Sequence, residues 1–181
     1  GQTGQRGRRL MAGPRSPVLG ALLLCALLAG CGFQLRGSGG GTALPDAWQA
    51  MSLDSASPNS EFTRILVARF TASGVRWVDR AEASHRLDLG PERFRQRNLS
   101  INAEARAAEF ELTLRATFAV FDADGRLLMP PATALVAKQM ENDPRNVVGK
   151  AEEIRILRDE MRGELAQQII RRIAYFAASG A

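Results

Sequence analysis

Three groups of residues have types and spacings that can do chemistry. The first is Leu28-Ala29-Gly30-Cys31, where a thiol follows two small residues at the end of a short apolar run, residues 18–28. This is the layout of a secretory signal whose cleavage leaves a cysteine at the new N-terminus, and a run this short is a signal h-region rather than a transmembrane helix. The other reading is a buried free cysteine closing an ordinary apolar helix. The second group is Arg93, Arg95 and Arg97, which alternate and would project from one face of a strand about 6–7 Å apart. Guanidiniums at that spacing can meet phosphates or carboxylates, although an edge strand also uses such charges to discourage pairing. The third is Arg145 with Lys150, at the predicted start of a long helix. A cation there opposes the helix macrodipole, which suggests a use for it elsewhere, though a solvated lysine is easily tolerated.

Other chemistries lack their residues. The single histidine, His85, has no second one to form a metal pair, and a solvated or hydrogen-bonded strand residue is the expectation for it. No glycine-rich phosphate loop is present, and no histidine is placed to partner a serine. Acidic neighbours such as Glu152-Glu153 and Asp159-Glu160 diverge around a helix and read as solvated charges. Binding or scaffolding is therefore the expected class, with no enzyme activity, no metal and no cofactor. A hydrolase built on distant carboxylates such as Glu109, Glu111 and Asp122 is the catalytic rival.

The chain carries 24 basic and 19 acidic residues, a net charge of +5, which invites a nucleic-acid reading. Location removes it. Arg6, Arg8, Arg9 and Arg15 precede Cys31 and no acid does, so the predicted mature chain has 20 basic and 19 acidic residues and a net charge of +1. That lacks the broad basic field of a nucleic-acid binder, and the four arginines instead suit the n-region of an export signal. Residues 1–30 are thus expected to be a signal sequence, with 1–10 an upstream extension or scar because Met11 can start a complete signal. Residues 31–181 are expected to form one periplasmic domain. Cys25 leaves with the signal and Cys31 becomes the N-terminus, so nothing remains for a disulfide.

The elements that must position these groups follow in order. Residues 33–36 alternate as a short strand would, and a glycine run at 37–41 follows. Residues 48–53 predict a strand and 55–60 a turn. Asn59 or Ser60 can cap a helix over 61–73 that ends at Gly74, with Phe62, Ile65, Leu66, Arg69 and Phe70 as the face laid on a sheet. Residues 75–78 predict a strand. Residues 85–101 alternate, with a change of parity that places a bulge or break near Gly90-Pro91. Residues 108–122 form the clearest strand, with Phe110, Leu112, Leu114, Phe118 and Val120 inward and Glu109, Glu111, Thr113, Arg115 and Thr117 outward. Asp122-Ala123-Asp124-Gly125 predicts a hairpin, and the return strand over 126–140 is expected to break at Pro130-Pro131. A long helix over 150–177 closes the chain, its stripe running through Ile154, Leu157, Met161, Leu165, Ile169, Ile173 and Phe176.

The order Leu28-Ala29-Gly30-Cys31 resembles the lipobox of bacterial lipoproteins, in which the thiol receives a diacylglycerol and the freed amine is acylated. Cys31-Gly32-Phe33-Gln34-Leu35-Arg36-Gly37 further resembles the opening of the LptE family of lipopolysaccharide-assembly lipoproteins. Ala108-Glu109-Phe110, Asn142-Asp143-Pro144 and the 160–173 part of the last helix agree with that family in order and spacing. The resemblance implies an α+β fold: a small, mostly antiparallel sheet of about four strands with two helices packed on one face, in agreement with the element reading. It also implies an outer-membrane lipoprotein, lipid-anchored at Cys31 on the periplasmic side. Such a protein plugs and helps assemble an LptD-type barrel and binds lipopolysaccharide through basic residues. A lysine opening the last helix falls on Lys150, and a second cation falls near Ala103, where Arg106 is the nearest; Arg145 stands beside them. Gly32 fits outer-membrane sorting, since retention signals carry aspartate at that place. The alternative is a periplasmic scaffold lipoprotein without affinity for the lipid.

Overall fold

A computed structural model of the chain describes residues 43–103, 107–143, 145 and 147–180. The lipobox, the predicted strand at 33–36, the glycine run and Arg106 lie outside the described residues. Six strands, β1 (Ala50–Ser55), β2 (Arg76–Trp77), β3 (His85–Leu89), β4 (Arg93–Ile101), β5 (Ala107–Asp122) and β6 (Leu127–Glu141), form one sheet. Two helices, α1 (Glu61–Ala72) and α2 (Val147–Ala178), complete the fold, and a 3₁₀ turn over Asp46–Trp48 precedes β1. The architecture is α+β, as expected.

Local chemistry sets the helix ends. The Ser60 hydroxyl accepts the Thr63 amide at 3.1 Å, satisfying a donor that the first turn of α1 cannot. Gly74, at φ +96°, takes the left-handed conformation that lets the chain turn off α1.

The sheet is mostly antiparallel, as expected, but carries a parallel part and six strands where about four were expected. β1 pairs in parallel with both β2 and β3, whereas β3, β4 and β6 all pair antiparallel with β5. The parallel part follows from α1 acting as the crossover between β1 and β2, which requires the two strands to run the same way. β3 and β4 lie end to end against one side of β5, interrupted at Gly90-Pro91-Glu92, where the sequence parity changes. Opposite them, β6 does not break at Pro130-Pro131. Its pairing steps from Phe118↔Ala132 to Val120↔Met129, so the prolines sit in an irregularity of an edge strand and cost little of the ladder.

One core joins all layers. Met51, Leu87, Leu112, Leu114 and Phe118 from the sheet meet Phe62, Leu66 and Phe70 of α1 and Met161, Leu165 and Ile169 of α2, all fully buried. Each such side chain contributes about 1.5–3 kcal/mol by leaving water. The even-numbered residues of β5 therefore face the helices. The odd-numbered residues from Glu109 to Thr117 face away, leaving the other side of the sheet bare of helix. His85 is half-buried, its ring stacked on Trp48 at 3.8 Å and its Nδ1 3.1 Å from the Ser84 hydroxyl. Burial lowers its pKa, which outweighs the nearby Asp122 carboxylate.

Candidate functional site

Cys31 and Arg106 lie outside the described residues; the other predicted site residues, Arg145 apart, fall in two places at different levels of β5. The first is a cleft of about 620 Å³ at the end of the sheet where β6 leads into α2. Lys150, in the first turn of α2, lines it. The Lys150 ammonium lies 5.4 Å from the centre of the Phe110 ring, a cation–π contact that holds it over the end of β5. Among the described residues, Glu109, Glu141, Asp143 and Glu153 line the same cleft. Glu109 and Glu141 are direct partners in the β5–β6 register, and Ser100 donates to Glu109 at 2.9 Å. Arg145 does not line this cleft. It is exposed, and its backbone N–H bonds the Asp143 carboxylate at 2.9 Å.

The second place is the bare face of the sheet. Arg93, Arg95 and Arg97 of β4 are exposed there, opposite Arg115, Thr113 and Glu111 of β5. This register divides the arginine row. Arg97 donates to Glu111 at 2.6 Å, and that hydrogen bond holds the Glu111 carboxyl below the usual carboxylate range. Arg93 and Arg95 form no ion pair among the described residues, and Arg93 sits directly across from a second guanidinium, that of Arg115. A smaller cavity, of about 260 Å³, lies at this corner of β4, β5 and β6, lined by Pro91, Arg93, Arg115, Ala116, Thr117 and Thr133. Sequence reasoning missed the membership of Arg115, Thr117 and Thr133. Arg115 and Thr117 were legible as outward residues of their own strand, but only the register brings Arg93 beside them.

Several ionic groups serve the fold. Lys138 faces the helices and bonds Glu160 and Glu164 at 3.0 and 2.8 Å. Of the acids that a hydrolase would need, Glu109 is taken by Ser100, Glu111 by Arg97 and Asp122 by Arg126, with Asp122 at the far end of β5. They converge on no common point. Among the described residues no cluster of histidine, cysteine and acidic side chains could hold a metal ion, and no helix is long and apolar enough to cross a membrane.

Residues 48–173 match the family model described as LptE, lipopolysaccharide-assembly. A Pectobacterium atrosepticum protein named LPS-assembly lipoprotein LptE is 31% identical over 166 residues, covering 86% of this chain and 82% of that protein. The like-named Yersinia enterocolitica protein is 30% identical over 171 residues, covering 88% and 76%. Among solved structures, rare lipoprotein B from Shewanella oneidensis superposes with a TM-score of 0.65 at 26% identity, covering 72% of this chain and 97% of that one. A minor lipoprotein from Acinetobacter baumannii superposes at 0.60 with 25% identity, covering 71% and 92%. The family match spans the strands and helices that build the core and both candidate sites, and the chain belongs to the LptE family of lipopolysaccharide-assembly lipoproteins.

Proposed function

We propose that this chain is anchored to the periplasmic side of the outer membrane through acyl groups on Cys31, after removal of residues 1–30. There it plugs and helps assemble an LptD-type barrel and contacts lipopolysaccharide on its way to the surface. The role is not enzymatic. The observation that carries this reading is the family match over residues 48–173, supported by relatives named LPS-assembly lipoprotein. Two or more acyl chains, at about 0.8 kcal/mol per buried CH₂, give stable membrane attachment. The helix-free face and the loops at the ends of the sheet are then free to meet the barrel wall. Lys150, with Arg106 and Arg145, is the proposed contact with lipopolysaccharide. Depleting the protein should lower the amount of folded barrel and of surface lipopolysaccharide. Unchanged levels of both would overturn the reading.

One observation favours a second reading, a scaffold without affinity for the lipid. Among the described residues, the lining of the Lys150 cleft carries four acids to one cation, and carboxylates disfavour an anion beside the ammonium. Lys150→Asp separates the two readings. If Lys150 contacts the lipid, the purified variant binds lipopolysaccharide more weakly than the parent, and equal binding favours the scaffold.

A further inference from the structure

The cavity at the corner of β4, β5 and β6 is built differently from the Lys150 cleft. Among the described residues its charged lining is Arg93 from β4 and Arg115 from β5, direct cross-strand partners on the bare face. Like charges placed so are destabilising in the free protein, because among the described residues neither guanidinium forms an ion pair that would offset the repulsion. Neighbouring acids are already engaged. Glu111 is held by Arg97 and Asp88 by Arg86 at 2.7 Å, while Glu92 turns to the other side of the sheet to meet α2. Beside the two arginines stand Thr117 and Thr133, also direct partners, on β5 and β6. Their hydroxyls can donate to the same point. Gly90 makes room for this arrangement: its N–H bonds the Thr117 carbonyl at 2.8 Å, and a Cβ on it would come within 2.4 Å of the Thr117 hydroxyl oxygen.

We propose that Arg93, Arg115, Thr117 and Thr133 form a binding site for a phosphate monoester. Two guanidinium forks and two hydroxyls supply donors on several sides of one tetrahedral anion, and the anion relieves the repulsion between the arginines. The site stands apart from the Lys150 cleft to which the lipopolysaccharide contact is assigned above. Arg115 lies six residues along β5 from Glu109, about 20 Å from the Lys150 cleft, with the Arg97–Glu111 pair between.

Calorimetric titration of the full chain in detergent, with inorganic phosphate and with glucosamine 1-phosphate, tests the proposal. Saturable binding should weaken at least tenfold in Arg93→Gln and in Arg115→Gln and stay unchanged in Arg76→Gln, an exposed arginine on β2. In phosphate-free buffer both site variants should unfold at or above the parent's temperature, since each removes a like-charge contact, and added phosphate should raise the unfolding temperature of the parent but of neither site variant. Tighter binding of glucosamine 1-phosphate assigns the site to a sugar-linked headgroup, and tighter binding of inorganic phosphate assigns it to the free ion; either order supports a phosphate site. No saturable binding of either probe overturns it, as does binding undiminished in both site variants.

Discussion

Arg162 of α2 grips Glu92 with two nitrogens, Nε at 2.8 Å and Nη2 at 2.6 Å, although the two residues are 70 positions apart. Arg158 adds a third donor to Glu92 and lays its own guanidinium 4.8 Å from the centre of the Phe94 ring. Glu92 closes the gap between β3 and β4, so this clamp ties the interruption of that strand line to the long helix. Glu92 and Arg162 are both largely shielded from water, which makes the contact worth more than a surface ion pair. Glu92→Gln keeps the shape but loses the charge, and should cost about 1.5–3 kcal/mol in urea unfolding.

The same clamp sets an acid limit. Burial opposes the charged form of Glu92, but the hydrogen bonds from Arg162 and Arg158 outweigh it and place its pKa below the ordinary 4.5. With the folded value below the unfolded one, its contribution to stability is complete well above pH 4.5 and is lost as pH falls through the folded value. Stability curves of parent and Glu92→Gln should therefore converge toward low pH. A constant gap across that range would show that the charge does not matter.

Two glycines predict opposite outcomes. A Cβ on Gly90 would meet the Thr117 hydroxyl at 2.4 Å and the Thr117 carbonyl at 3.3 Å, on a strand that cannot easily retreat. Gly90→Ala should destabilise by about 1–3 kcal/mol. In α2, a Cβ on Gly163 meets only the guanidinium end of Arg69, an exposed side chain that can swing away. Gly163→Ala should stabilise by up to about 1 kcal/mol, because glycine is a poor interior helix residue. Thermal melts of the two variants, run together, check both signs.

The stripe of α2 supplies a further test. Leu165 is fully buried between the sheet and α1, so Leu165→Ala should cost about 2–5 kcal/mol in chemical unfolding. A loss under 1 kcal/mol would mean that the helix does not pack on the sheet as described.

How far these features were legible in the sequence depended on whether the signal was local. Periodicity along α2, the Ser60 cap, the Gly74 turn and the change of parity at Gly90 all report conformation within a few residues, and each was readable. Strand pairing is not local. Nothing in Met51 or Leu53 says that their neighbours run parallel, and Pro130-Pro131 reads as a break until β6 proves to be an edge. The candidate sites divide in the same way. Lys150 was visible as a cation at the wrong end of a helix, yet the described acids that share its cleft come mostly from other elements. The arginine row was visible as alternation, but the loss of Arg97 to Glu111 and the gain of Arg115 are consequences of register.

The central claim is that this chain works as a lipid-anchored partner of an LptD-type barrel. Affinity purification of the chain from detergent-solubilised outer membrane, under native conditions, tests it most directly. The barrel should co-elute in stoichiometric amount. Recovery of the chain alone, from membranes in which the folded barrel is abundant, would contradict it.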